Sequence, residues 1–544
     1  MKKFLAIFLA LTVVLGLCAC GGGSSSNGGH GLTEDGRVKL SVGIGTNAMI
    51  TSLEDNAFTR WIEEECGVEI TFVEYAGGTD IKTQISTTIA ANQELPDILW
   101  GTSIDRDTAI RYGKDGYFVD LAPYYADKEG KAKNFWDRIE NELDPANREL
   151  VVSKMADEDG HIYGAGGILI SPFDNQAWQV FINTKWLDAV GMEKPTNADE
   201  LYAVLKAFKD KDPNGNGQPD EIPLMGSDTG VMCSDVIGWI VNMFLYYNPG
   251  RPYAVDENGK LSEQLYLTDE YRDALRFLNK LYKEGLLSPL TWTTSAQEMK
   301  QITTPSAGTA LCGIFVGHPT STTTRGSKVL YEYEPLETWG YFRTKDEDFS
   351  WNYYITESCQ DVDKAFEVFM AAASYEGSMR GRYGEYGVNW TEADPGTIDQ
   401  LGDPAKYKIL HDVAGEQHAQ RWGKYGPVII VGDENECAQV DDTDDEWFNY
   451  KIKLLREHYL LGVEAAKKNP ERICPPLSYT DAEDEERSMI ATNVSGKVSE
   501  DEMDFITGVL DINNDAVWAK HKADAKALGS DKLVEMAQVA YDRS

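Results

Sequence analysis

Between Val38 and Trp100 the spacing of apolar residues switches repeatedly between a period of two and a helical period. Val38-Lys39-Leu40-Ser41-Val42-Gly43-Ile44 alternates as a half-buried strand does, and Phe58 to Glu65 follows with helical spacing. Val68 to Val73 is a second strand, Ile81 to Asn92 a second helix, and Pro96-Asp97-Ile98-Leu99-Trp100 a short buried strand that ends in a loop. Strands that alternate with helices form a layered α/β sheet, and parallel strands are expected because each helix carries the chain back along a face. Ligands of such sheets sit beyond the carboxyl ends of the strands, which puts the loops around Gly45 and Trp100 at a binding crevice. At 544 residues the chain exceeds what one core organises, so two or more lobes are expected.

The first residues carry an address. Lys2 and Lys3 precede an apolar run from Phe4 to Leu17, too short to be a stable membrane anchor and suited to a signal peptide over residues 1–19. Leu17-Cys18-Ala19-Cys20 resembles a bacterial lipobox, which implies cleavage before Cys20 and a lipid on its thiol; an ordinary secretory peptide that happens to contain cysteine is the alternative. Gly21 to Gly31 is almost entirely Gly, Ser and Asn, so residues 20–36 form a flexible tether. Its random-coil reach is roughly 15–20 Å. The expected location is the outer face of the bacterial cytoplasmic membrane, lipid-anchored.

The formal charge of −38 becomes −40 once Lys2 and Lys3 leave with the leader. Such an acidic surface argues against nucleic acid and against electrostatic docking on anionic lipid. Cys66, Cys233, Cys312, Cys359, Cys437 and Cys474 are far apart without a CxxC pair, so a zinc site is not expected and the sequence leaves disulfides open. Gly43-Ile44-Gly45-Thr46-Asn47-Ala48 mimics a dinucleotide-binding turn, but an exported chain has no ready supply of nicotinamide cofactor, and a plain glycine-rich turn is expected.

Beyond Phe181 the pattern changes. Asn183 to Gly191 is a short helix with a glycine stop, and Asn197 caps an amphipathic helix whose Leu201, Val204, Leu205 and Phe208 share one face. This region, NTKWLDAVGMEKPTNADELYAVLKAFKDKDPNGNGQPDEIPL, together with YYITESCQDVDKAFEVFMAAASYEG and FITGVLDINNDAVWAKHKADAKALGSDKLVEMAQVAYDR, resembles the family 1 extracellular solute-binding proteins. These are capture subunits of carbohydrate ABC importers, related to alginate-binding and maltose-binding proteins. The resemblance covers nearly the whole mature chain and implies a two-lobed, type II periplasmic-binding-protein-like α/β fold, each lobe a sheet flanked by helices. It places residues 37–165 and 340–376 in an N-terminal lobe and 175–335 and 378–544 in a C-terminal lobe, joined by hinge crossovers. It further implies a monomer that closes on an oligosaccharide, delivers it to permease subunits and catalyses nothing. A secreted glycoside hydrolase, which would need a flanking carboxylate pair, and a binding protein for peptides or another non-sugar solute are the alternatives.

Asp212-Pro213-Asn214-Gly215-Asn216-Gly217-Gln218-Pro219-Asp220-Glu221 offers oxygen donors at alternate positions, as an EF-hand loop does for calcium. Asp212, Asn214, Asn216, Asp220 and Glu221 would contribute side chains and Gln218 its carbonyl. Pro223 stands where an EF-hand has its terminal Glu, and Glu221 is the substitute. The ion's expected role is structural; a solvated Asx-rich turn is the plain alternative. Sugars present apolar C–H faces and rings of hydroxyls, so aromatic platforms and planar hydrogen-bonding groups are the candidates for a sugar site. Trp100, Tyr163, Asp174, Trp178, Trp239, Trp292, Trp351, Asn352, Tyr353 and Trp390 fall in suitable contexts, and Tyr163, Trp178 and Trp351 stand nearest the inferred crossovers. The acidic runs 441–446 and 483–486 are expected to be solvated faces.

Overall fold

The computed structural model describes residues 31–431 and 474–543, apart from 48, 77–79, 103, 144, 171–177, 228–233, 325–328, 330–331, 337–347, 400–403, 412, 414–416, 424–428, 476 and 478. Cys20, most of the tether, Asp174, Cys233, Cys437 and the run 441–446 lie outside those residues.

The described chain enters at the amino end of β1 (Val38–Gly45), where Leu32 bridges to Val38 and the Lys39 amide donates to the Gly31 carbonyl at 3.0 Å. α1 (Ala57–Cys66) starts where the Asn56 side chain accepts the Phe58 amide and stops at Gly67, whose φ of 63° is left-handed. β2 (Val68–Tyr75), α2 (Asp80–Ala90) and β3 (Ile98–Trp100) follow, and β1 lies parallel to both β2 and β3. A Cβ at Gly43 would lie 2.8 Å from the Leu99 and Tyr75 side chains, so this glycine serves close packing within the sheet. α3 (Arg106–Lys114) and α4 (Lys133–Glu142) lead to β4 (Ala165–Ile170).

A second sheet is then built from β5 (Val180–Asn183), β6 (Ile222–Met225), β7 (Cys312–Val316) and β8 (Tyr333–Pro335), in the order β6-β7-β5-β8. Its helices include α5 (Thr184–Val190), α6 (Ala198–Asp210), α7 (Val236–Val241) and α8 (Asp269–Lys283). α6 is capped by Asn197 and buries Leu201, Val204, Leu205 and Phe208, the face expected from its spacing.

β9 (Asp348–Ile355) returns to the first sheet, followed by α9 (Val362–Ala373), α10 (Tyr375–Tyr383), the antiparallel pair β10 (Trp390–Glu392) and β11 (Tyr407–Ile409), and β12 (Ile429–Val431). The completed first sheet has the order β12-β4-β9-β3-β1-β2. α11 (Asp481–Thr507), α12 (Asp515–Ala527) and α13 (Ser530–Arg543) close the chain, and Val494, Phe505, Trp518 and Leu533 pack into the core of the second sheet. Glu483, in one of the acidic runs, completes a capping box with Thr480 and pairs with Arg543. Among the described residues no helix is long and apolar enough to cross a membrane.

Two sequence expectations are corrected. The sheets are mixed: β9 runs antiparallel to β3 and β4, and β5 antiparallel to β7 and β8. A strand that re-enters the first sheet from its carboxyl edge has to run down it, against the strands that rose to that edge. The C-terminal lobe does not take all of 378–544: Trp422 and Ile429 lie in the first core, and β12 extends the first sheet beside β4.

Candidate functional site

Strand register decides which edges of the two sheets face one another. Trp100 and Ala165 both align with Tyr353, and β4 and β9 continue together beyond that level to Leu169 and Asp348. They therefore project past the carboxyl end of β3. In the second sheet Val180 aligns with Val316, and the Leu336 amide donates to the Val180 carbonyl at 2.9 Å. The chain thus enters and leaves that sheet at the carboxyl end of β7. Both connections, β4 to β5 and β8 to β9, join one carboxyl edge to the other, which sets the two edges across a cleft.

On the first edge Thr102 is fully buried, and its Oγ1 has no hydrogen-bond partner in the protein. The Gly101 amide donates to the Asn352 carbonyl at 2.6 Å, which holds Asn352 beside it. Asn352 Oδ1 and the Trp351 indole nitrogen are also buried without a protein partner. The Arg106 guanidinium stands 5.3 Å from the centre of the Trp351 ring and donates to the Ala156 carbonyl. Residues 418–423 lie over the loop after β1: the His418 amide donates to Met49 and the Thr51 amide to His418, each at 2.9 Å. Gln420 Oε1, in that segment, is buried and unpartnered.

On the second edge Ser227 is 4% exposed, and its Oγ has no protein partner. The Gly317 amide donates to the Gln179 carbonyl at 2.9 Å, which brings the buried Gln179 and His318 to the same edge. A buried polar atom left unpaired costs roughly 1–3 kcal/mol. Thr102, Trp351, Asn352, Gln420 and Ser227 thus carry buried polar atoms without a protein partner close to the carboxyl edges of the two sheets.

Thr102, Ser227 and Gln420 carried no motif and were not among the sequence candidates. A positional signal was available for two of them. Thr102 and Ser227 each sit two residues beyond the end of a strand, as His318 does after β7.

Of the sequence candidates, Trp351 and Asn352 reach this edge. Trp100 and Tyr353 pack T-shaped with ring centres 4.8 Å apart, both are wholly buried, and the Tyr353 hydroxyl donates to the Ala365 carbonyl. Neither offers a free face. Tyr163 lies against Gly113, where a Cβ would come within 2.1 Å of its ring, and stacks on His161. Trp178 and Trp239 are in the second core. Trp292 packs 6.3 Å from Tyr282, and Trp390 donates to the Gly384 carbonyl at 3.0 Å inside a small core with Met379 and Tyr407. Asp174 lies outside the described residues. A groove of about 600 Å³ lined by Trp61, Lys131, Asp363 and Met370 opens between α1, α4 and α9, and none of the edge residues lines it.

The loop between α6 and β6 is wound on its own side chains. Asp212, with a φ of 47°, accepts the Asn216 amide at 3.2 Å and the Gly217 amide at 3.0 Å. The Asn214 and Asn216 amides donate to Asp220 at 3.0 to 3.1 Å, and Asn216 Oδ1 accepts the Gln218 amide at 2.7 Å. Glu221 Oε1 is buried with no hydrogen-bond partner, and burial, then the carboxylates of Asp212 and Asp220, holds its carboxyl above the usual range. Three carboxylates drawn together with two Asn side chains are chemically suited to a hard cation. Among the described residues no group of three or more His, Cys, Asp or Glu side chains is arranged tightly enough to hold a metal.

The profile of a family described as bacterial extracellular solute-binding protein matches residues 48–378. Lipoprotein LipO of Bacillus subtilis (strain 168) is 29% identical over 295 residues, covering 53% of this chain and 51% of that protein, so the match spans about half of LipO's length. The fructooligosaccharide ABC transporter substrate-binding protein FusA of Streptococcus pneumoniae serotype 4 is 22% identical over 512 residues, 89% of this chain and 86% of FusA. The solved structure of S. pneumoniae FusA in complex with kestose superposes with a TM-score of 0.73 at 18% identity, covering 93% of this chain and 99% of that one. That of a FusA EF-hand mutant in complex with fructo-nystose gives 0.72 at 18%, with the same coverage. At those identities the likeness establishes the fold, a two-lobed type II binding-protein architecture.

Proposed function

The chain belongs to the bacterial extracellular solute-binding protein family, and from that premise we propose that it is the lipid-anchored capture subunit of an ABC importer for oligosaccharides. The observation that carries this reading is the topology, in which β4 leads to β5 and β8 to β9 between the carboxyl edges of two separate sheets, the architecture of the binding proteins it superposes on. Open and closed arrangements of the lobes interconvert, and a sugar touching both edges stabilises the closed one. The closed form is then handed to a permease pair, and no bond in the cargo is broken. FusA, which aligns over most of the chain, is described as binding a fructooligosaccharide for an ABC transporter, and this supports the assignment.

Cys20 carries the lipid and residues 20–36 the tether, so the body, a monomer, works at the outer face of the cytoplasmic membrane. Asp212, Asn214, Asn216, Asp220 and Glu221, with the Gln218 carbonyl, hold calcium, and the unpartnered Glu221 oxygen supports their fit to it. Bound there, the ion would neutralise the loop and fix the connection between α6 and β6. It takes no part in sugar recognition.

The test is a thermal-shift screen of the mature protein against oligosaccharides and peptides. A ligand held only by the folded state raises the melting temperature. A rise with an oligosaccharide is expected; a rise with peptides alone would overturn the assignment.

A further inference from the structure

The two lobes also meet outside their strand crossovers. α11 belongs to the second lobe, where Val494, Val498, Phe505 and Ile506 are buried in the core, yet it lies against α3 of the first lobe as well. Its 27 residues make a rod of about 40 Å. Val494 is the first of its described side chains buried in the second core, so the turns from Asp481 to Met489 overhang that core by roughly 13 Å. α13 braces the overhang. Arg543 donates to both carboxylate oxygens of Glu483 at 2.6 and 2.8 Å, and Lys532 stands 3.9 Å from Glu486.

The part of the first lobe that it meets is joined to both strands that lead to the crossovers. Gly113 of α3 lies under the Tyr163 ring just before β4, and Arg106 stands beside Trp351 of β9. Lys114, at the end of α3, is 3.7 Å from Asp159, in a turn that the Gly160 amide closes on the Asp157 carbonyl at 3.1 Å. Glu158 is exposed in that turn. Its charge is felt across the lobes: Glu483 first, and Glu158 after it, hold the Arg543 guanidinium above its usual value.

We propose that the first turns of α11, braced by Arg543 of α13, form an interlobe strut that rests on α3 and the Asp157–Gly160 turn and narrows the range of lobe rotations, with Glu158 and Arg543 as its charged contact. Lobes joined by crossovers alone rotate readily about them. A rigid helix from one lobe seated on the other blocks rotations that drive it into α3 and loses contact in those that lift it away. An exposed ion pair adds little to folding, but lobe arrangements differ by small free energies, so one pair biases their populations by up to about fivefold. The proposal needs the two-lobed architecture and no particular cargo.

Bio-orthogonal spin labels at the exposed positions 73, in β2, and 509, just after α11, report the interlobe distance by pulsed dipolar spectroscopy of the mature protein without added ligand. Glu158→Lys sets two like charges together. It should lower the population of the dominant distance about two- to fivefold and broaden the distribution. The melting temperature should stay at the wild-type value. Molar salt, which shortens the Debye length to about 3 Å, should move wild type toward the variant and leave the variant where it is. Identical distributions in wild type and variant overturn the strut. A salt response that the variant shows in full assigns the restraint to other charges and overturns this pair. Broadening that comes with a lower melting temperature assigns Glu158 to the fold of the first lobe and overturns its role as a contact. Each outcome is read without sugar, so a failure of the capture reading registers separately, in the thermal-shift screen.

Discussion

The Trp422 indole donates to the Thr59 hydroxyl at 2.8 Å inside the first core, although 363 positions separate the two residues in the chain. The same hydroxyl donates to the Leu53 carbonyl at 2.6 Å, and the Trp422 ring stands edge-on to Phe58, Phe72 and Trp100 with centres 4.9 to 5.3 Å apart. One late residue therefore ties the loop after β1, α1, β2 and β3 together. Trp422→Ala should lower the stability of the first lobe by about 3–5 kcal/mol. Calorimetry should show one lobe's transition moving down while the other holds.

A carboxyl in the second lobe makes stability depend on pH. Glu502, on α11, points its carboxyl at Tyr271, and burial raises its pKa to about 7, with Asp235 adding to the rise. The folded state then holds a proton that the unfolded chain releases near the ordinary carboxyl value of 4.5. Its contribution is full below that value and is lost as pH rises toward 7. Glu502→Gln should melt several degrees above wild type at pH 8 and alongside it near pH 4, as a series of thermal melts will show.

Calcium should raise the melting temperature, and a chelator should reverse the rise. At a hundredfold excess over Kd the gain is about 2.7 kcal/mol. Asp220→Ala removes the carboxylate on which the Asn214 and Asn216 amides converge. It should abolish the calcium response while leaving oligosaccharide titrations unchanged at equal temperature.

The described thiols are free and buried. Desolvation first of all pushes Cys66 and Cys359 up to about 12 and Cys474 to about 11, and raises Cys312 further still. Thiolates are the reactive form, so these four should be inert to iodoacetamide in the native protein and react once it is unfolded. Mass spectrometry of labelled peptides separates the two states.

Cys20→Ala should move the protein from the membrane fraction to the medium without altering its sugar binding, as fractionation and calorimetry will show.

Much of the fold could be read from the sequence because local spacing and capping agree with it. β1, α1, β2 and α6 fall where their apolar periods put them, and Asn183, Asn197 and Gly191 act as the caps their chemistry suggests. The pairing of β9 between β3 and β4, and the return of Trp422 and β12 to the first lobe, are long-range relations that no local period encodes. The site was harder. Large aromatics attract notice in a sequence, yet Trp100, Trp239 and Tyr353 are spent on cores, since burying a ring is the commonest use of one. Small polar residues such as Thr102 and Ser227 carry no motif, and their place just past a strand end emerges only once the sheets are assembled.

The entry of the chain at Leu32–Val38 bears on how such a protein would work at a surface. β1 has 8 residues, which puts its amino end roughly 26 Å from the edge where cargo is read. A body moored at that pole would fish with the other, its mouth toward the medium and away from the membrane that has to receive the catch. Delivery would then require the loaded body to capsize on its line. The length of the spacer between Cys20 and Gly31 would set how readily it rolls, so shortening it would spare capture and slow import.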